Sequence, residues 1–183
     1  MFIKKMNSKP ASRISLATSI IMCVTIIGLT GCGSSETPTD PQTPSGVQYI
    51  LTAEPAEAIN VGEFRESAVN GEDVVVIGRI GGDANPWIDG TAAFLITDTS
   101  LVPCNERPGD NCKIPWDYCC DRNTLKDMKV MVKIVDDSGG VVPVDAKMLL
   151  GVEELQYVTV TGRTEKDEDG TLRILASKIH IRP

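Results

Sequence analysis

Histidine is almost missing from this chain: its 183 residues include one, His180, and aromatic residues make up 4%. A Ser-His-Asp or Cys-His site would need a partner placed by a pattern such as G-x-S-x-G, and that pattern does not occur. Neither G-x-x-x-x-G-K-[ST] nor G-x-G-x-x-G is present, so no phosphate or dinucleotide cradle can be assigned. No C-x-x-C occurs either, which removes the usual redox dithiol and the paired ligands of structural zinc sites. These absences predict no enzymatic activity, no catalytic residues and no cofactor. Basic residues are also outnumbered, 18 Lys and Arg against 25 Asp and Glu, for a formal charge of -7. An acidic body of this kind is repelled by anionic polymers and lipid head groups, so nucleic acid is not an expected partner.

The N-terminus runs against that acidic trend. Lys4, Lys5, Lys9 and Arg13 precede an uncharged stretch from Ile14 to Gly31, the order of a secretory signal. The stretch is shorter than the roughly 20 apolar residues of a spanning helix and is diluted by Ser15, Thr18, Ser19, Thr25 and Thr30, so export is the favoured reading over a transmembrane anchor. Leu29, Thr30, Gly31 and Cys32 resemble the lipobox of bacterial lipoproteins. The resemblance implies cleavage before Cys32, a diacylglycerol on its thiol and a fatty acid such as palmitate on the new amino terminus. One chain gives marginal membrane binding and several give durable attachment. The expected product is an exported cell-envelope lipoprotein, held to the bilayer through Cys32 and facing the periplasm or cell exterior. Removal of residues 1–31 leaves 14 basic against 25 acidic residues, a formal charge of about -11.

Residues 33 to 46, GSSETPTDPQTPSG, carry no large apolar side chain and cannot offset the entropy of folding. With Cys32 they form a predicted tether, residues 32–46, whose end-to-end distance is on the order of 20 Å. An N-terminal extension, residues 47–71, then holds a short extended run, Val47 to Pro55, and a helix capped by Asn60 and stopped by Gly71. From residue 72 onward strands dominate, over Asp73–Ile80, Thr91–Asp98, Lys129–Asp136, Tyr157–Thr164 and Thr171–Ile181. A brief helix capped by Asp145 and ended by Gly151 falls between the third and fourth of these runs. The acidic run Glu165 to Gly170 lacks the spacing of a calcium loop and reads as a hairpin connection.

Three strands, a short helix and two strands resemble the OB-fold, a five-stranded Greek-key barrel with its helix between strands three and four. The likeness covers about residues 72–183 and includes the repeated Gly78-Arg79 and Gly162-Arg163, where glycine permits the bend of a small barrel. The expected class is mainly β, an OB-like barrel with an N-terminal helical extension. The chain also resembles uncharacterised lipoproteins of planctomycete-type bacteria through WDYCC and DGTLRILASKI, a resemblance that implies no activity.

Residues 99–127 form a long insertion that holds Cys104, Cys112, Cys119 and Cys120. A connection of this length needs something to tie it down, and an even number of cysteines in an exported chain predicts two disulfides. Bridging the neighbours Cys119 and Cys120 would be strained, which leaves Cys104 and Cys112 each paired with one of them, in either order. Four thiolates could instead hold zinc, but spacings of seven, six and none fit no paired template, so no metal is expected. For recognition, Trp87 in GGDANPWIDG, Trp116 and Tyr118 in the cysteine loop, and Phe94, Lys129 and Lys133 on the second and third strands are the candidate ligand-binding residues. The function expected from these features is a binding or interaction module for an envelope protein or glycan; a purely structural envelope lipoprotein is the first alternative, followed by an OB-fold nucleic-acid-binding protein and a thiol or metal protein.

Overall fold

The structure is a computed structural model that describes residues 45–183. The expected signal segment, Cys32 and most of the expected tether lie outside the described residues. Among those described, no helix is long and apolar enough to cross a membrane.

Among the described residues, strand-forming runs rich in Val and Ile build seven strands: β1 (Ile59–Asn60), β2 (Asp73–Ile80), β3 (Trp87–Ile88), β4 (Ala93–Thr97), β5 (Lys129–Ile134), β6 (Tyr157–Lys166) and β7 (Leu172–Ile181). The sheet order is β1-β2-β6-β7-β5-β4-β3, and a further pairing of β2 with β4 joins the ends. Strands β2, β6, β7, β5 and β4 therefore close into a barrel. Every pairing in that ring is antiparallel except β5 with β7. This cyclic order, with α3 (Ala146–Leu150) between β5 and β6, is that of an OB-like Greek-key barrel. β1 and β3 are additional two-residue strands at its edges, too short for any period-2 pattern to announce them.

The interior is mainly aliphatic. Ile80, Phe94, Ile96, Val132, Ile134, Val160, Ile174 and Ile179 are inaccessible to solvent, and burying each such side chain stabilises the fold by roughly 1.5–3 kcal/mol. Closure at this small radius bends β6 at a bulge between Thr161 and Gly162. A Cβ on Gly162 would stand 2.2 Å from the Leu175 carbonyl oxygen, so the residue is required by close approach of the two backbones.

The helix α1 (Val61–Ser67) packs Val61 and Phe64 into the barrel. Asn60 is its N-cap residue, but its side chain makes no cap hydrogen bond and accepts one from the Thr99 hydroxyl at 2.5 Å. The cap comes from across the chain, where Asp98 accepts a hydrogen bond from the Gly62 N–H at 2.7 Å. Asp145 behaves similarly: it precedes α3 but accepts from the Gly90 N–H. Gly151 ends α3 in the left-handed conformation, as its position predicts.

Two expectations for the extension change. The run from Val47 begins as a 3-10 turn, Gly46–Tyr49, and only Ile50 bridges to Ile179, because Tyr49 turns inward to join the core. The helix α1 stops at Ser67 and not at Gly71, whose N–H donates to Thr164 of β6 and so belongs to the sheet side of the turn.

Candidate functional site

Two places on this scaffold collect chemistry. The first is the outer face of β4 and β5. Alternation along β5 buries Val130, Val132 and Ile134 and turns Lys129, Met131 and Lys133 outward. Register then sets Leu95 of β4 beside Met131, and Met131 beside Arg173 of β7. These side chains line an open groove of about 630 Å³, together with Ala93, Ile88, Arg65 and Lys126. Its floor is aliphatic, its rim carries five cations, and no aromatic ring lines it.

The rim is not uniformly neutralised. At one end Arg173 pairs with Asp167 at 2.6 Å and Glu165 at 3.5 Å, and Lys133 lies 3.8 Å from Glu165. At the other, Lys129 donates to the Gly82 carbonyl at 2.8 Å and Arg65 to the Lys129 carbonyl at 3.0 Å. Among the described residues neither of these two cations has a carboxylate within ion-pairing distance.

The second place is the β4–β5 connection, which folds through three 3-10 turns, Cys104–Glu106, Pro115–Asp117 and Cys119–Asp121, and a short helix α2 (Arg122–Leu125). Tyr118, left-handed at φ 52°, links the second turn to the third. Its ring is fully buried. Backbone contact completes the joint, since Gly82 N–H donates to the Trp116 carbonyl at 2.7 Å, and a Cβ on Gly81 would stand 2.7 Å from that same oxygen. Arg79 of β2 reaches the loop through Glu106 at 2.6 Å while lying 4.8 Å from the Tyr157 ring centroid.

This folding gathers the four cysteines. The expected bridges are absent: Cys104, Cys112, Cys119 and Cys120 are free thiols. The Cys119 sulfur lies 3.8 Å from that of Cys104 and 4.0 Å from that of Cys112, well beyond a covalent bond of about 2.05 Å. The Cys119 thiol is pushed far up from its ordinary range by its hydrogen bond with Cys104, then by burial and by Cys112 and Asp117. The expected approach of Cys104 and Cys112 to Cys119 is therefore present, while the covalent bridges are not.

The aromatic candidates fare differently from the lysines. Phe94 and Tyr118 are buried in the fold and present no ring to solvent. Trp87 is half-buried on Phe94, with ring centroids 5.8 Å apart, and its indole N–H donates to Glu154 at 2.7 Å. Burial alone would raise the Glu154 carboxyl, but hydrogen bonds from Lys147 and Trp87 hold it below its ordinary value. Trp116 is half-buried, with its N–H on the Ala84 carbonyl at 3.1 Å. These aromatics brace loops. Lys129 and Lys133 do meet on one face, and Arg65 and Arg173, which the sequence reading missed, join them only through the barrel's topology. His180 is half-buried on β7 opposite Thr159.

No protein-family model and no curated protein matches the chain. Among solved structures the chain is similar to the OBody AM1L10 bound to hen egg-white lysozyme, at 15% identity and a TM-score of 0.42, over 73% of this chain and 98% of that one. The OB-like assignment here stands on the strand order and register described above.

Proposed function

We propose that this protein is an exported, lipid-anchored binding module of the cell envelope, and that its recognition surface is the β4–β5 groove. The supporting observation is the collection of five cations on an aliphatic floor in a chain whose net charge is -7. Charge of the minority sign gathered over apolar surface marks a place where an anionic, partly apolar partner is favoured. The absence of a ring in the groove removes the stacking platform that single-stranded nucleic acid uses. An envelope protein that presents an acidic segment with aliphatic side chains fits both features, with its carboxylates at the Arg65 and Lys129 end.

A photo-cross-linking amino acid placed at Met131 in the full-length chain tests this in cells, with exposed Met148 as the comparison position. A discrete protein adduct is expected from position 131, absent from 148, weakened by salt and lost when Lys129→Glu and Arg65→Glu are added. A nucleic-acid adduct, or equal labelling from both positions, overturns the reading, and no adduct at all leaves the chain as a structural envelope element.

A further inference from the structure

The cysteine cluster has a geometry that neither free thiols nor disulfides require. The sulfurs of Cys104, Cys112 and Cys119 and a carboxylate oxygen of Asp117 all lie within 4.8 Å of one another. In a tetrahedral zinc site with Zn–S bonds near 2.3 Å, the sulfurs stand about 3.8 Å apart. The Cys119 sulfur stands 3.8 Å from that of Cys104 and 4.0 Å from that of Cys112. We propose that Cys104, Cys112, Cys119 and Asp117 form a binding site for one zinc ion that ties the β4–β5 connection together.

The donor set suits that metal. Three soft thiolates and one carboxylate in a tetrahedral arrangement favour zinc over magnesium or calcium, which take oxygen ligands in larger numbers. Supporting contacts orient the donors. Asp117 accepts a hydrogen bond from the Cys119 N–H at 2.9 Å, and Asp110 accepts one from the Cys112 N–H at 2.8 Å; such outer contacts hold ligands in place. Cys104 is fully buried and so brings one corner of the site out of water. Cys120 is the thiol left over: it is exposed and lies with Cys104 and Asp110, but not with Cys112 and Cys119.

The fold also gives the ion something to do. A long connection with no strand of its own needs cross-ties, and a metal that joins Cys104 near its start to Cys112, Asp117 and Cys119 further along supplies one. In an oxidising compartment disulfide formation would compete for the same thiols, so the experiment distinguishes the two.

The full-length protein, purified in detergent without chelator, is assayed for metal by elemental analysis, and the apo protein is titrated with cobalt(II) as a spectroscopic probe. Expected are about one zinc per chain and the strong visible absorption of tetrahedral cobalt with thiolate charge-transfer bands. Cys112→Ser and Asp117→Asn should each weaken zinc binding at least about tenfold, and Cys120→Ser should leave it unchanged. If the Cys112 variant does not fold, the wild-type cobalt spectrum and the Asp117→Asn and Cys120→Ser measurements still decide. A metal-free protein without free thiols, four hydrogens lighter than its reduced form, overturns the proposal, as does a Cys120→Ser effect equal to that of Asp117→Asn.

Discussion

The barrel and the cysteine loop are adjacent in sequence and built on opposite principles. The barrel carries a continuous aliphatic interior in which Ile96, Val132, Ile134, Val160 and Ile174 exclude water together, so no single contact decides whether it forms. Between Thr99 and Asp127 the buried apolar side chains are Pro103, Cys104, Tyr118 and Leu125. The loop therefore depends on discrete fasteners, namely the Tyr118 ring, the Arg79–Glu106 pair and the thiol cluster. Cooperative burial gives the barrel stability that is spread over many residues, whereas the loop's order is concentrated in a few that can be removed one at a time.

Three measurements bear on that contrast, in order of expected size. Phe94→Ala empties the barrel centre beneath Trp87 and should cost about 3–5 kcal/mol in denaturant unfolding, with loop and barrel lost in one transition. A loss confined to the β3 edge would mean that the interior is less cooperative than its packing indicates. Tyr118→Ala should cost roughly 1.5–3 kcal/mol, and its effect should be local: amide exchange accelerates over residues 104–121 while β5 and β7 keep their protection. Tyr118→Phe, which keeps the ring, should retain most of the wild-type pattern; loss of β5 protection in the alanine variant would erase the distinction between the two regions.

The third measurement concerns Asp98, at the point where β4 passes into the loop. Burial would raise its carboxyl, but hydrogen bonds from the Ser100 hydroxyl, the Gly62 N–H and the Ser100 N–H hold it below the ordinary value. A group depressed in the folded state stabilises above its unfolded pKa of about 3.9, and that contribution is lost as pH falls through the lower folded value. Wild-type stability should thus decline below about pH 4, and Asp98→Asn should flatten the decline while costing about 1.5 kcal/mol at neutral pH. Urea unfolding between pH 2.5 and 7 reads both, and an unchanged slope would remove Asp98 as the junction between helix, strand and loop.

Legibility in the sequence follows the same division. The run Asp73–Ile80 becomes β2 over the same residues, and Lys129, Met131 and Lys133 take the face that alternation gave them, because period-2 patterns survive wherever one side of a strand is polar. TAAFLITD has no such alternation, since β4 carries apolar side chains on both faces; Phe94 therefore gave no signal of pointing inward while Leu95 floors the groove. The cations at Arg65, Lys129 and Arg173 are too far apart in sequence to be read as a patch. They meet only because α1 crosses the β5 end and β7 pairs with β5. In the loop, Tyr118 drew a binding interpretation from its place beside Trp116, and the structure buries its ring, since nothing local reveals that Tyr118 will enter the interior.

The one parallel pairing in the barrel has a kinetic consequence. β5 and β7 cannot be joined by a hairpin, so the ring stays open until β7 arrives, and the start of the extension meets that strand at Ile179 through Ile50 and the residue after the strand through the Glu54–Arg182 pair. High sequence separation of this kind slows folding, because the entropy of loop closure is spent before the contacts return it. A nascent chain that ends before Leu172 therefore cannot close the ring, and completion of the barrel waits for its last strand.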